Sequence, residues 1–137
     1  MFNILKFFSQ GRKDSILFKN NGAVSHNGPW KQIYTDTLLD RWHVGEFSSA
    51  EYTISVDLDN NDKELVKCLI TAGLDIASVI VYARSNLGRN LVEITAEVND
   101  SYVNVILNPA AEDSISTDGS KVIYTVQYFQ NQNPLIV

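Results

Sequence analysis

LDRWHVGEFSSAEYTISVDL, Leu39 to Leu58, contains two readings side by side. Its second half alternates Tyr52, Ile54, Val56 and Leu58 with Thr53, Ser55 and Asp57. That period of two predicts a strand with one face in a core. Its first half gathers Asp40, Arg41, Trp42, His43, Glu46, Ser48 and Ser49, the residue types of an active site. These residues either do chemistry or carry the chain round a corner into the strand. A nucleophilic serine needs a base and an orienting carboxylate brought together, and no GxSxG elbow is present. The corner is the expected reading: Trp42 and Phe47 anchor it, and the polar residues satisfy backbone groups there.

The alternation continues outward. LVKCLITAG (Leu65–Gly73) follows the polar turn DNND; the stretch from Glu64 to Ala72 also fits a helical period, but a strand is preferred. IASVIVYAR (Ile76–Arg84) is apolar on both faces, as a central strand covered on each side would be. Val92, Ile94, Ala96 and Val98 alternate with Glu93, Thr95 and Glu97; Asn99-Asp100 then turns the chain into YVNVILNP (Tyr102–Pro109), which Pro109 stops. After a polar loop containing Asp118-Gly119, VIYTVQYF (Val122–Phe129) places Val122, Tyr124, Val126 and Tyr128 on one face. Short strands joined by polar turns predict an all-β domain, an antiparallel β-sandwich or barrel of about six to eight strands, with its core strands over residues 49–130.

Ahead of these strands, SILFK (Ser15–Lys19) and KQIYTDT (Lys31–Thr37) are expected to pair across NNGAVSHNGPW, whose Asn-Gly steps favour turns. Residues 1–14 form an N-terminal arm, and residues 15–137 a single domain. Phe2, Leu5, Phe7 and Phe8 in the arm, with Trp30, Trp42 and Phe47, are the expected packing and assembly residues. Deleting residues 1–10 is expected to leave a folded domain that no longer assembles. The arm is not a secretion signal in pattern, since its apolar stretch is broken by Lys6 and its basic pair, Arg12-Lys13, follows it. A soluble chain made in a cytoplasm is expected.

Other chemistry finds no pattern. In DLDNNDKEL the calcium-loop spacing requires Gly where Asp62 stands and Glu where Cys68 stands, so solvated turn residues are expected. His26 and His43 have no metal-ligand spacing around them. The seven glycines form neither GxGxxG nor a P-loop, and Glu93 and Glu97 share a solvated strand face. No enzyme activity, metal or cofactor is expected. With 45% hydrophobic and 20% charged residues, the 137-residue chain has the composition of one globular domain. A net charge of −5 argues against a nucleic-acid partner. No apolar run reaches membrane-span length. Cys68 is alone and lies in an apolar run, so it is expected as a buried structural thiol.

From Leu39 to Phe129 the order of motifs resembles a small domain of virion structural proteins from marine contractile-tailed phages, the cyanophages in particular. DRWHVGEFSSAEY (Asp40–Tyr52) is similar to that family's opening aspartate–x–aromatic phrase and its "SAKY". Leu87-Gly88, a strand ending at Asn99-Asp100, and YVNVILNP follow in the family's order. The chain departs from the family in its apolar arm and in a longer loop between Pro109 and Lys121. The resemblance implies a virion component of tail, neck or baseplate. Such a component packs with itself and with other phage structural proteins, and a homo-oligomer is the expected arrangement. The alternative is a carbohydrate- or receptor-binding sandwich using Trp30, Trp42 and surface tyrosines as a platform.

Overall fold

A computed structural model describes residues 16–18, 23–27, 31–33, 35–110 and 120–131. Among them are ten strands: β1 (Ile16–Phe18), β2 (Ala23–Asn27), β3 (Lys31–Ile33), β4 (Thr37–His43), β5 (Phe47–Asp57), β6 (Lys63–Ala72), β7 (Ala77–Asn86), β8 (Val92–Asn99), β9 (Tyr102–Pro109) and β10 (Ser120–Gln130). Every pairing is antiparallel. The larger sheet has the order β1-β2-β10-β5-β6-β7, with β3 also on β10; the smaller has the order β4-β9-β8. The expected antiparallel sandwich is therefore the observed fold.

The alternation that predicts the strands also fills the core. Tyr52, Ile54 and Val56 of β5 face inward, as do Val66, Cys68 and Ile70 of β6 and Val122, Tyr124, Val126 and Tyr128 of β10. They meet Leu39 and Trp42 of β4, Val92 and Ile94 of β8, and Val103, Val105 and Leu107 of β9. The ambiguous segment of β6 is a strand: buried and exposed residues alternate along it from Lys63 to Thr71.

Turns follow local chemistry. Asp100 and Ser101 both take positive φ (52° and 68°), the conformation a two-residue hairpin needs to match the twist of β8 and β9. Gly88, at φ 138°, occupies backbone space that side chains rarely enter, in the turn between β7 and β8.

Three expectations need correction. The stretch LDRWH is itself strand β4, in the smaller sheet, and β5 starts at Phe47, before Ser49. The segment read as a loop, NNGAVSHNGPW, contains β2; β1 pairs with β2 rather than with β3, and β3 pairs with Ser120–Val122 of β10. The nearer strand wins because it closes a shorter loop. Finally, β7 is not a central strand. Among the described residues it ends the larger sheet, and its outward residues Ile80 and Tyr82 are 59% and 46% exposed. A continuous apolar run alone does not report whether both of its faces are covered. The arm, with Phe2, Leu5, Phe7 and Phe8, and Trp30 lie outside the described residues.

Candidate functional site

The residues that looked like an active site separate into inward and outward sets. A register shift in the pairing of β4 with β9 leaves Leu39 as an extra residue between Leu38 and Asp40. Such a bulge shifts the phase of a strand. Leu39, Asp40 and Trp42 are therefore buried, while Leu38 and Arg41 face outward. Asp40 Oδ2 accepts hydrogen bonds from the Tyr52 hydroxyl (2.8 Å) and the Tyr128 hydroxyl (2.5 Å). Trp42 Nε1 donates to the Tyr52 hydroxyl oxygen at 3.0 Å. One carboxylate oxygen thus ties the smaller sheet to two strands of the larger. Burial, and then the carboxylate beside it, push the Tyr52 phenol well above its ordinary range, so it remains a proton donor to Asp40.

Trp42 and Phe47 surround this network. Their rings meet edge to face with centroids 6.4 Å apart, and Phe47 stacks on Tyr128 at 4.9 Å. Both are almost wholly buried (3% and 1% exposed), which leaves the Trp42 face unavailable to a sugar.

The other members of the stretch have local partners. His43 Nδ1 accepts the Gly45 N–H (2.9 Å), its carbonyl accepts the Glu46 N–H (3.0 Å), and its ring packs edge-on against Tyr102. The Arg41 guanidinium lies 4.0 Å from the Tyr102 ring centre. Ser48 Oγ faces Ser49 Oγ (3.3 Å) and the Phe129 carbonyl (3.5 Å). Histidine and serine are each engaged in shaping the crossing from β4 to β5.

A second buried carboxylate, Glu64, was not singled out by the sequence reading. It occupies the inward phase of β6, in step with Val66, Cys68 and Ile70, and that phase was the available signal. Its side chain is fully shielded from solvent. Oε2 accepts from Arg84 (2.8 Å) and Asn86 (2.9 Å), and Oε1 from the Leu91 and Val92 N–H groups (2.9 and 3.3 Å). Arg84 also donates to the Val92 carbonyl (3.0 Å) and approaches Glu93 at 3.6 Å. The shift that makes this possible lies in β7: Val81 pairs with Cys68 and Ala83 with Lys67, leaving Tyr82 extra. The inward row then passes from Ala77, Val79 and Val81 to Arg84 and Asn86.

The acidic turn after β5 is internally satisfied. Asp59 Oδ1 accepts the Asn61 and Asp62 N–H groups at 2.8 and 2.9 Å. Asp57 pairs with Lys63 (2.9 Å), and both oxygens of Asp62 receive Arg89 at 3.1 Å. Among the described residues, no three His, Cys, Asp or Glu side chains form a group that could hold a metal ion. Cys68 is buried on the inner face of β6, between β5 and β7; burial, then the nearby Glu51 charge, push its thiol up to about 12.

The polar side chains thus hold the two sheets together, while the outer face of β6 and β7 mixes large apolar residues with Lys63, Lys67, Thr71 and Ser78. Leu65, Leu69, Ile80 and Tyr82 are each more than two-fifths exposed there. Tyr82 donates a hydrogen bond to Glu51 of β5, so its ring lies back across β6.

No protein-family model matches the sequence, and no curated protein matches it. Parts of phage tailspike crystal structures are similar in fold. The Acinetobacter baumannii phage AM24 tailspike protein matches over 82% of this chain and 26% of its own, with a TM-score of 0.46 and 10% identity. The tailspike protein of Acinetobacter phage vB_ApiP_P1 matches over 86% and 23%, at TM-score 0.36 and 11% identity. Tailspike gp49 of Acinetobacter baumannii bacteriophage Fri1, described as a capsular polysaccharide depolymerase, matches over 97% and 23%, at TM-score 0.39 and 12% identity. The chain spans about a quarter of the length of each.

Proposed function

We propose that the chain is a non-catalytic structural component of a tailed phage particle, in the tail, neck or baseplate, acting by packing against other subunits. One observation carries the reading: the residues of its opening motif bind one another. Asp40, Trp42 and Tyr52 form a single buried hydrogen-bonded chain. The phrase that carries the resemblance to virion proteins of contractile-tailed phages is therefore a scaffold-forming phrase, suited to a packing module. Val103, Val105 and Leu107 of the YVNVILNP motif are likewise fully buried, and Gly88 of the Leu-Gly motif sets a turn.

The exposed apolar surface agrees with packing. A surface carrying Leu65, Leu69, Ile80 and Tyr82 in adjacent strands is of the kind that marks protein contacts. The alternative, a sugar platform of Trp30, Trp42 and surface tyrosines, loses Trp42 to the core, while Trp30 lies outside the described residues.

Mass spectrometry of purified particles, followed by localisation in a particle reconstruction, tests the reading. The chain is expected at a fixed stoichiometry in the tail, neck or baseplate. Its presence in infected cells together with its absence from purified particles would overturn the proposal, as would glycan cleavage by the purified chain.

A further inference from the structure

The end strand β7 pairs only with β6 among the described residues. An end strand presents backbone N–H and C=O groups that can template another strand, and proteins guard such edges with Lys, Pro, bulges or inward-pointing charges. The guards on β7 are confined to its second half, where Tyr82 makes the bulge and Arg84 points inward to Glu64. The first half, Ala77–Val81, has none of them. Ile80 is 59% exposed there, beside Leu69 of β6, with which it is in register. Tyr82 is held back toward Glu51 and does not cover this edge.

We infer that Ala77–Val81 is a contact between two copies of the chain, formed by antiparallel pairing of the two β7 strands about a two-fold axis at Val79. The inference rests on the packing role proposed above and names its surface. The strand is complementary to itself in this register. Ala77 meets Val81 of the other copy, and Val79 meets Val79, extending the inner apolar row. Ser78 meets Ile80 on the outer face, which brings no like charges together despite the net charge of −5. With the two-fold at Val79, Asp75 ahead of the strand falls opposite Ala83 of the other copy, whereas an in-register parallel pairing would set Asp75 against Asp75. Both copies contribute the same patch, as a two-fold contact requires.

Sedimentation velocity of the full chain over a concentration series tests this. A monomer–dimer equilibrium is expected, weakened at least tenfold by Ile80→Lys and by Ser78→Lys. Both positions are exposed, so the thermal melt of each diluted monomer should match that of the parent. Leu87→Lys adds the same charge at an exposed position beyond the strand and should leave the equilibrium unchanged. A chain that stays monomeric at every concentration overturns the inference, and so does a dimer indifferent to both β7 substitutions. A dimer lost on deleting residues 1–10 but kept in Ile80→Lys assigns the contact to the arm and also overturns it. A monomeric chain found in purified particles would sink this contact while leaving the particle role standing.

Discussion

Asp40 and Tyr128 lie 88 positions apart in the chain and meet through a 2.5 Å hydrogen bond that joins the smaller sheet to the centre of the larger one. The same carboxylate oxygen receives Tyr52. Removing the acceptor deprives two buried phenol donors at once, and each buried group so deprived costs about 1–3 kcal/mol. Asp40→Ala is expected to lower stability by roughly 2–5 kcal/mol, and Tyr128→Phe by about 1–2 kcal/mol. Urea unfolding of both single variants and the double variant checks the link. Strict additivity would show that the two residues are not energetically coupled.

Glu64 predicts a contrast between two ion pairs. Its shielded carboxylate serves Arg84, Asn86 and two backbone N–H groups, and leaving Arg84 without it strands a partly buried charge. Glu64→Ala is expected to cost about 3–5 kcal/mol. The Lys63–Asp57 pair has both side chains 45% exposed, and Lys63→Ala should cost at most about 1 kcal/mol. Equal losses in denaturant melts would refute the assignment of Glu64 as a clasp.

Ser101 sits at φ 68° without the freedom of glycine. Ser101→Gly relieves a left-handed conformation worth about 1–2 kcal/mol but loosens the unfolded chain, so a net gain of about 0.5–1 kcal/mol is expected. Its carbonyl bond to the Val44 N–H is a backbone interaction and survives the substitution. A lowered melting temperature would contradict this account.

The thiol of Cys68 is expected to resist alkylation at pH 8 for as long as the chain is folded. Its raised pKa keeps the native group protonated there, and the thiolate is the reactive form. The sign follows: the unfolded thiol ionises earlier as pH rises, so this group favours unfolding only in alkaline solution. Labelling with a disulfide reagent, with and without denaturant, checks it; rapid native labelling would mean that the core opens readily at β6.

Chelation provides a test of the acidic turn. Because Asp59, Asp57 and Asp62 are bound to backbone, Lys63 and Arg89, EDTA should leave the melting temperature unchanged. A fall that calcium restores would show that DLDNNDKEL binds an ion.

Much of the sandwich is legible as alternation. In β5, β8, β9 and β10 the apolar phase in the sequence is the buried phase in the fold, and in β6 strand geometry alone puts Glu64, Val66, Cys68 and Ile70 on one side. The failures have a common physical origin. Bulges at Leu39 and Tyr82 change a strand's phase without any distinctive residue type, so neither the inward turn of Asp40 nor that of Arg84 could be read from spacing. The apolar run of β7 misleads because two hydrophobic faces arise equally from burial within one chain and from contact between chains. His43, Ser48 and Glu46 resembled a catalytic set through proximity in sequence. His43 and Ser48 are engaged by neighbouring backbone groups, and the Glu46 carboxyl, pushed up by partial burial, lies within electrostatic reach of His43.

The two buried carboxylates lie at different points between the sheets, one fastening β4 to β5 and β10, the other fastening β6 and β7 to the start of β8. A plate fastened to another at one point can swivel about it; fastened at two, it cannot. Under a pull along the strands the sheets would have to shear both fastenings together, so force entering through one sheet passes into the other without slip. That is the mechanical behaviour of a rivet pair rather than a hinge.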